Sequence, residues 1–195
     1  MKTFNLSLDS NELRQTANEL REYAEEFQMK CKRFFDACAD HGIMIAQMHE
    51  GDFSGYIVYS KRFETDGEEY TVSIVATDTP LTKTWYTSAT GGKTKSATIS
   101  PLLMAEFGSG WKALEDIPEG VTAGHGTLNT YGHADQPSWS WWTDDASDQT
   151  DAEMISSKNG RWLFKTSGIA PSRPLHNSVM SLVRDVEGIA VSIFH

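Results

Sequence analysis

Cysteine is almost missing from this chain of 195 residues, with only Cys31 and Cys38 present. They fall on one predicted helical stripe, seven positions and about 10 Å apart along the axis, too far to bridge. A disulfide framework is therefore excluded, and two reduced, buried thiols of a cytosolic product are expected. Long apolar runs are missing too, so no membrane-spanning helix is expected. Met1 to Ser10 lacks the basic-then-apolar layout of a secretory signal, so export by that route is not expected.

Positive charge is missing from one place. Ala113 to Ser157 contains no Lys or Arg but nine acids: Glu115, Asp116, Glu119, Asp135, Asp144, Asp145, Asp148, Asp151 and Glu153. The whole chain carries 27 acids against 17 bases, a formal charge of −10. Outside that segment the count is 18 against 17, so nearly all the net charge belongs to one stretch. The acidic balance argues against a protein that grips phosphate backbones. The same stretch holds Trp139, Trp141 and Trp142, with Trp111 just ahead of it.

The 39% hydrophobic content supplies one core, and a single domain over 1–195 is expected. Leu13, Ala17, Leu20, Ala24, Phe27, Cys31, Phe34 and Cys38 alternate spacings of four and three, the signature of an amphipathic helix. Asp9 and Glu12 fit a capping box, Gly42 fits a C-terminal stop, and Ile43 to Met48 can add a turn or two. The small Ala and Cys positions favour packing across a sheet over a coiled coil. Gly55–Ser60, Tyr70–Thr77, Lys83–Thr87 and Lys95–Ser100 read as strands of an antiparallel meander. Pro101 then opens a short helix through Phe107, closed by Gly108. Ser138–Thr143 and Arg161–Thr166 read as partner strands of a hairpin. Trp139 and Trp141 share one face, Trp142 takes the other, and Trp162 and Phe164 share a face of the partner strand. Leu175, Val179, Leu182, Val183, Val186, Ile189, Ala190 and Ile193 form a second amphipathic stripe after Pro174. The fold class expected is α+β: a long N-terminal helix and a C-terminal helix packed on an antiparallel sheet, with a Trp-rich acidic insertion over 109–167.

Chemistry is scarce. The six histidines show no ligand pairing at helical spacing. His125 and His133 with Asp135, Asp144 and Asp145 match no zinc or calcium loop, so no metal is assigned. Glu106 and a loop acid are the best carboxylate pair for hydrolysis, but Glu106 sits in an apolar turn where a structural carboxylate is commoner. Gly91-Gly92-Lys93-Thr94 lacks the upstream glycine of a phosphate loop and has no following helix. No catalytic residue and no cofactor is assigned. Trp139, Trp141, Trp142 and Trp162 are candidates for a subunit interface, since tryptophan dominates binding hot spots. The competing use is a stacking platform for sugar rings in a carbohydrate-binding or hydrolytic protein.

Two short motifs are distinctive. Leu103, Glu106, Phe107, Gly108 and Gly110 form an L-x-x-E-F-G-x-G turn. Gly168, Pro171, Arg173 and Pro174 form a G-x-x-P-x-R-P lead-in to the last helix. Their order, with a variable segment between them, resembles the tail-completion family of long-tailed bacteriophages and prophages, related to the minor tail protein Z group of phage lambda. The resemblance implies a non-enzymatic virion protein of the head–tail junction, assembled in the host bacterial cytoplasm. It also implies partners: further copies in a ring of six, adjacent neck and tail-terminator proteins, and DNA passing through without sequence-specific binding. Glu106 and Arg173 have the charges to pair and to pin the turn against the last helix. The acidic, Trp-bearing insertion is then expected to reach a neighbouring subunit.

Overall fold

The computed structural model describes residues 10–66, 69–90, 92, 94–110, 138–144 and 152–195. Helix α1 (Ser10–Met48) runs for 39 residues, about 58 Å at about 1.5 Å per residue. Its composition explains its length: Glu, Arg, Ala and Leu dominate its first half, and Glu26–Lys30 at 3.2 Å adds an i,i+4 pair. The chain then forms β1 (Ile57–Asp66), β2 (Glu69–Asp78), β3 (Leu81–Tyr86) and β4 (Thr94–Ile99). Helix α2 (Pro101–Phe107) and the short strand β5 (Ser109–Gly110) follow. After β6 (Trp139–Thr143), β7 (Glu153–Lys158), β8 (Arg161–Thr166) and β9 (Gly168–Ile169), helix α3 (Pro174–Phe194) ends the chain. The α+β class is as expected, with both long helices and antiparallel sheets present.

Several expectations are corrected. Helix α1 lies mainly along α3 and only in part across the β1–β2 sheet: Phe194 packs on Phe27 and Phe34 at ring separations of 5.9 and 6.0 Å. Gly42 does not stop α1. It is buried inside the helix, where an added Cβ would stand 2.4 Å from Ile74 Cδ1 and 2.9 Å from Ser178 Oγ. Its smallness lets β2 and α3 approach the same turn. Asp9 lies outside the described residues. Cys31 and Cys38 are free and half-buried, and burial pushes the Cys38 thiol pKa up.

The meander is two separate structures. Among the described residues, strands β1 and β2 pair only with each other, from Ile57↔Asp78 to Asp66↔Glu69. Pro80 follows with no N–H to donate, and the Asp78 carboxylate turns aside to accept Leu102 N–H at 3.0 Å and the Ser100 hydroxyl. Strands β3 and β4 instead belong to a five-stranded sheet ordered β4-β3-β6-β8-β7. Strand β8 does pair with β6, but the hairpin partner of β8 is β7. That hairpin turns through Asn159 and Gly160, with φ of 54° and 75°, the conformation a two-residue Asn-Gly turn requires. The insertion is therefore no isolated arm, since Tyr86↔Trp142 joins its strands to β3.

Candidate functional site

The two motifs meet in space. Ser109 pairs with Ile169 and Gly110 with Gly168, so β5 and β9 close the base from which the segment between them departs. Helix α2 is built locally: Ser100 accepts Leu103 N–H at 3.1 Å as its cap, and Pro101 fills its first turn. The α2 residues Met104 and Ala105 bury with Phe53 and Ile57 in one core cluster. Leu103, by contrast, is exposed on the outer side of the helix.

Gly108 leaves α2 with φ of 67°, and a Cβ there would stand 2.5 Å from Ile169 O and 2.9 Å from Pro171 Cδ. Only glycine fits both the conformation and the space. From the other motif, the N–H groups of Ser172 and Arg173 both donate to Ala105 O at 2.9 Å. Arg173 takes a left-handed conformation, φ 55° and ψ 56°, and provides no side-chain cap to α3. Glu106 supplies it. Its carboxylate accepts Leu175 N–H at 2.9 Å and His176 N–H at 3.0 Å. Two orphan donors at the positive end of α3 are satisfied by one negative side chain from another helix. The expected pinning of the turn to the last helix is thus made through backbone donors, and Arg173 contributes by its conformation. Phe107 and Pro171 are half-buried, while Gly168 and Pro174 are buried.

Beside Glu106 lies Tyr59, whose hydroxyl is buried with no hydrogen-bond partner among the described residues. Burial, then the charges of Glu50 and Glu106, push its pKa up to about 12.

Trp141 and Trp142 occupy successive positions of β6. Trp141 opposes Phe164, which is fully buried, at a ring separation of 6.0 Å. Trp142 opposes Leu163 on one side and Tyr86 on the other. Trp141, Trp142 and Trp162 are half-buried, and Trp139 pairs with Thr166 through its backbone position. Arg161 stacks over Tyr86 at 3.6 Å and donates to Ser88 O at 3.2 Å, while Tyr86 donates to Asp144 at 3.0 Å. Asp144 is therefore committed to the sheet, where the ends of β3 and β6 meet. His125, His133, Asp135 and Asp145 lie outside the described residues, among which no group of three metal-ligating side chains occurs.

One constellation escaped the sequence reading. His41 Nε2 lies 3.1 Å from both Ser181 Oγ and Asp185 Oδ2, and Ser181 donates to Asp185 at 2.9 Å. The residue types are those of a hydrolytic triad, but the order differs. A relay needs the carboxylate on Nδ1 and the serine on Nε2. Here both converge on one nitrogen, and Arg184 also engages Asp185, at 2.8 and 2.9 Å. The group is a polar clasp between α1 and α3. Hydrogen bonding from Arg184 and Ser181 holds the Asp185 carboxyl well below the usual range.

The chain matches no protein-family model, no curated protein and no solved structure. Among the described residues, no helix is long and apolar enough to cross a membrane.

Proposed function

We propose that this chain is a structural subunit of the head–tail junction of a long-tailed phage or prophage, a tail-completion protein with no catalytic task. The observation that carries the reading is an unfinished core. Among the described residues, seven apolar side chains are buried, whereas eighteen large apolar ones are exposed. Fourteen of them lie on α1, α3 and the β1–β2 ribbon, elements whose partners among the described residues cover only one side. A chain of this kind completes its burial on other proteins.

The motif geometry supports the same reading. Every motif side chain with a described partner is spent on capping, tight approach or core packing, as expected of an assembly part. The sugar-platform alternative is less favoured, because two of the sheet's aromatic side chains are already engaged: Arg161 covers Tyr86, and Trp141 packs on Phe164.

The test is reconstitution. Purified chain added to isolated heads and tails is expected to cosediment with one of them and to raise the yield of joined particles. A chain that binds neither particle overturns the proposal. The double variant Trp141→Ala, Trp142→Ala tests the separate role of the Trp-bearing segment. Unchanged joining would remove those residues from the interface.

A further inference from the structure

The β1–β2 ribbon stops one strand short. Lys61 of β1 reaches Asp36 and Asp40 of α1, while Ile74 of β2 stands with Leu182 of α3 over Gly42, so β2 is the strand on the α3 side. Thr79 N–H donates to Tyr56 O at 2.9 Å just past the first pair of the ladder, Ile57↔Asp78, which fixes its phase. Tyr70, Val72, Ile74 and Ala76 therefore turn their backbone N–H and C=O away from β1. Among the described residues nothing bonds to these groups. Edges are ordinarily guarded by charge, proline or a bulge. Strand β1 carries Lys61, Arg62 and Glu64, but residues 70–77 of β2 have no charge, no proline and an unbroken register.

Helix α3 is left bare beside that edge. Around its axis Ser181 and Asp185 meet His41, and Leu182 comes next, with Ile74. Val179 and Val186 follow, about 60° and about 40° further round in the same sense, and Val183 about 100°. Val179, Val183 and Val186 are 57%, 70% and 40% exposed. The valines thus continue past Ile74 to the place where a third strand, about 4.8 Å out from β2, would cover them. Arg184 does not compete for that place, because Asp185 and Ser181 hold it on the other side of the helix.

What fits there is a short uncharged strand with one apolar face. Phe4, Leu6 and Leu8 alternate with Asn5, Ser7 and Asp9, the two-residue period of a strand. These residues precede α1 and lie outside the described residues, and their reach decides whose edge they can take. Phe4 is six residues from Ser10, at most about 21 Å along an extended chain. Gly42, where Ile74 packs, is thirty-two residues from Ser10, about 48 Å along α1. Even Tyr70, about 14 Å from Ile74 along β2, stays out of reach. A chain therefore cannot complete its own ribbon with this segment. We infer that residues 4–8 of one copy add as a strand to the β2 edge of a second copy, with Phe4, Leu6 and Leu8 turned onto the valines of α3. The contact joins two different surfaces of one chain, so it passes from copy to copy and can close a ring.

The inference rests on the subunit role proposed above but has its own test. Sedimentation velocity and native mass spectrometry of the full chain are run on the wild type, Leu6→Glu and Val183→Glu. The wild type is expected to self-associate at high concentration, and each variant alone to be monomeric. An equal mixture of the two variants is expected to recover pairs holding one of each, because Leu6→Glu keeps its acceptor edge and Val183→Glu keeps its donor strand. Circular dichroism checks that both fold. Val72→Pro, which removes one outward N–H of β2, replaces Val183→Glu if that chain does not. A wild-type monomer at every concentration overturns the inference. Association kept in Leu6→Glu gives the edge to another occupant and overturns it too, as does association kept in Val183→Glu or a mixture that stays monomeric. Failure here with cosedimentation on particles intact removes this contact alone. Loss of particle binding with self-association intact removes the head–tail reading instead.

Discussion

The Glu106 carboxylate holds the backbone N–H of His176 at 3.0 Å, joining two residues seventy positions apart in the chain. The same carboxylate takes Leu175 N–H, so the start of the last helix is fixed by a side chain of α2. Replacing Glu106 by Ala is expected to destabilise the fold by about 1–2 kcal/mol, the size of a lost N-cap. Glu106→Gln keeps one accepting oxygen and is expected to lose less. Urea unfolding checks both, and an alanine variant with the wild-type midpoint would remove the cap from the account.

Tyr59 predicts a change of the opposite sign. Its buried hydroxyl has no partner among the described residues, so Tyr59→Phe removes an unsatisfied group and is expected to stabilise by about 1 kcal/mol at neutral pH. The alkaline limb gives a second reading. With the pKa pushed up to about 12 in the fold, the unfolded chain releases this proton near pH 10 while the folded chain keeps it. Stability therefore falls as pH rises between about 10 and 12. Thermal melts across that window are expected to show a shallower fall for Tyr59→Phe, and equal slopes would contradict the burial argument.

Asp185 sets the acid limb. Its carboxyl is held low by Arg184, Ser181 and His41, so the fold keeps it ionised where the unfolded chain protonates. That contribution is complete above the ordinary carboxylate range and is lost as pH falls through the lowered value. In Asp185→Asn the loss of stability on acidification is expected to be smaller than in the wild type. Melting temperatures measured downward from neutral pH decide it, and parallel curves would show that the clasp carries no linkage.

How legible these features were depends on their range. The α1 stripe, the Pro101 start of α2, the alternation of Trp141 and Trp142, and the pairing of 138–143 with 161–166 all follow from local periodicity. Strand β7 was not legible, because Glu153, Ser156, Ser157 and Lys158 read as polar loop. Only Asn159-Gly160 marked the hairpin that makes it a strand. The break between β2 and β3 was hidden for a different reason: the side chain of Asp78, on the last rung of the ladder, caps a helix more than twenty residues on. Long-range caps and clasps such as Glu106–His176 and His41–Asp185 have no sequence period. For the same reason Gly42 read as a stop, when the neighbours that require it come from β2 and α3.

Two helical glycines separate those causes. At Gly188 in α3 a Cβ meets nothing within 4 Å, so Gly188→Ala only restores helix propensity and is expected to stabilise by about 0.5–1 kcal/mol. At Gly42 the same propensity gain is opposed by three neighbours: Ile74 Cδ1 at 2.4 Å, Ser178 Oγ at 2.9 Å and Leu182 Cδ1 at 3.0 Å. The two methyls are ends of flexible side chains and can rotate, but Ser178 is fully buried and has little room to yield. Overpacking of this kind costs about 1–3 kcal/mol, which outweighs the propensity term. Gly42→Ala is therefore expected to destabilise while Gly188→Ala stabilises. Gly42→Ala combined with Ile74→Val is expected to recover part of the loss by vacating the Cδ1 position. Chemical unfolding of the three variants reads the signs directly. A stabilised Gly42→Ala chain would mean that α1, β2 and α3 do not meet as closely as their packing around this turn requires.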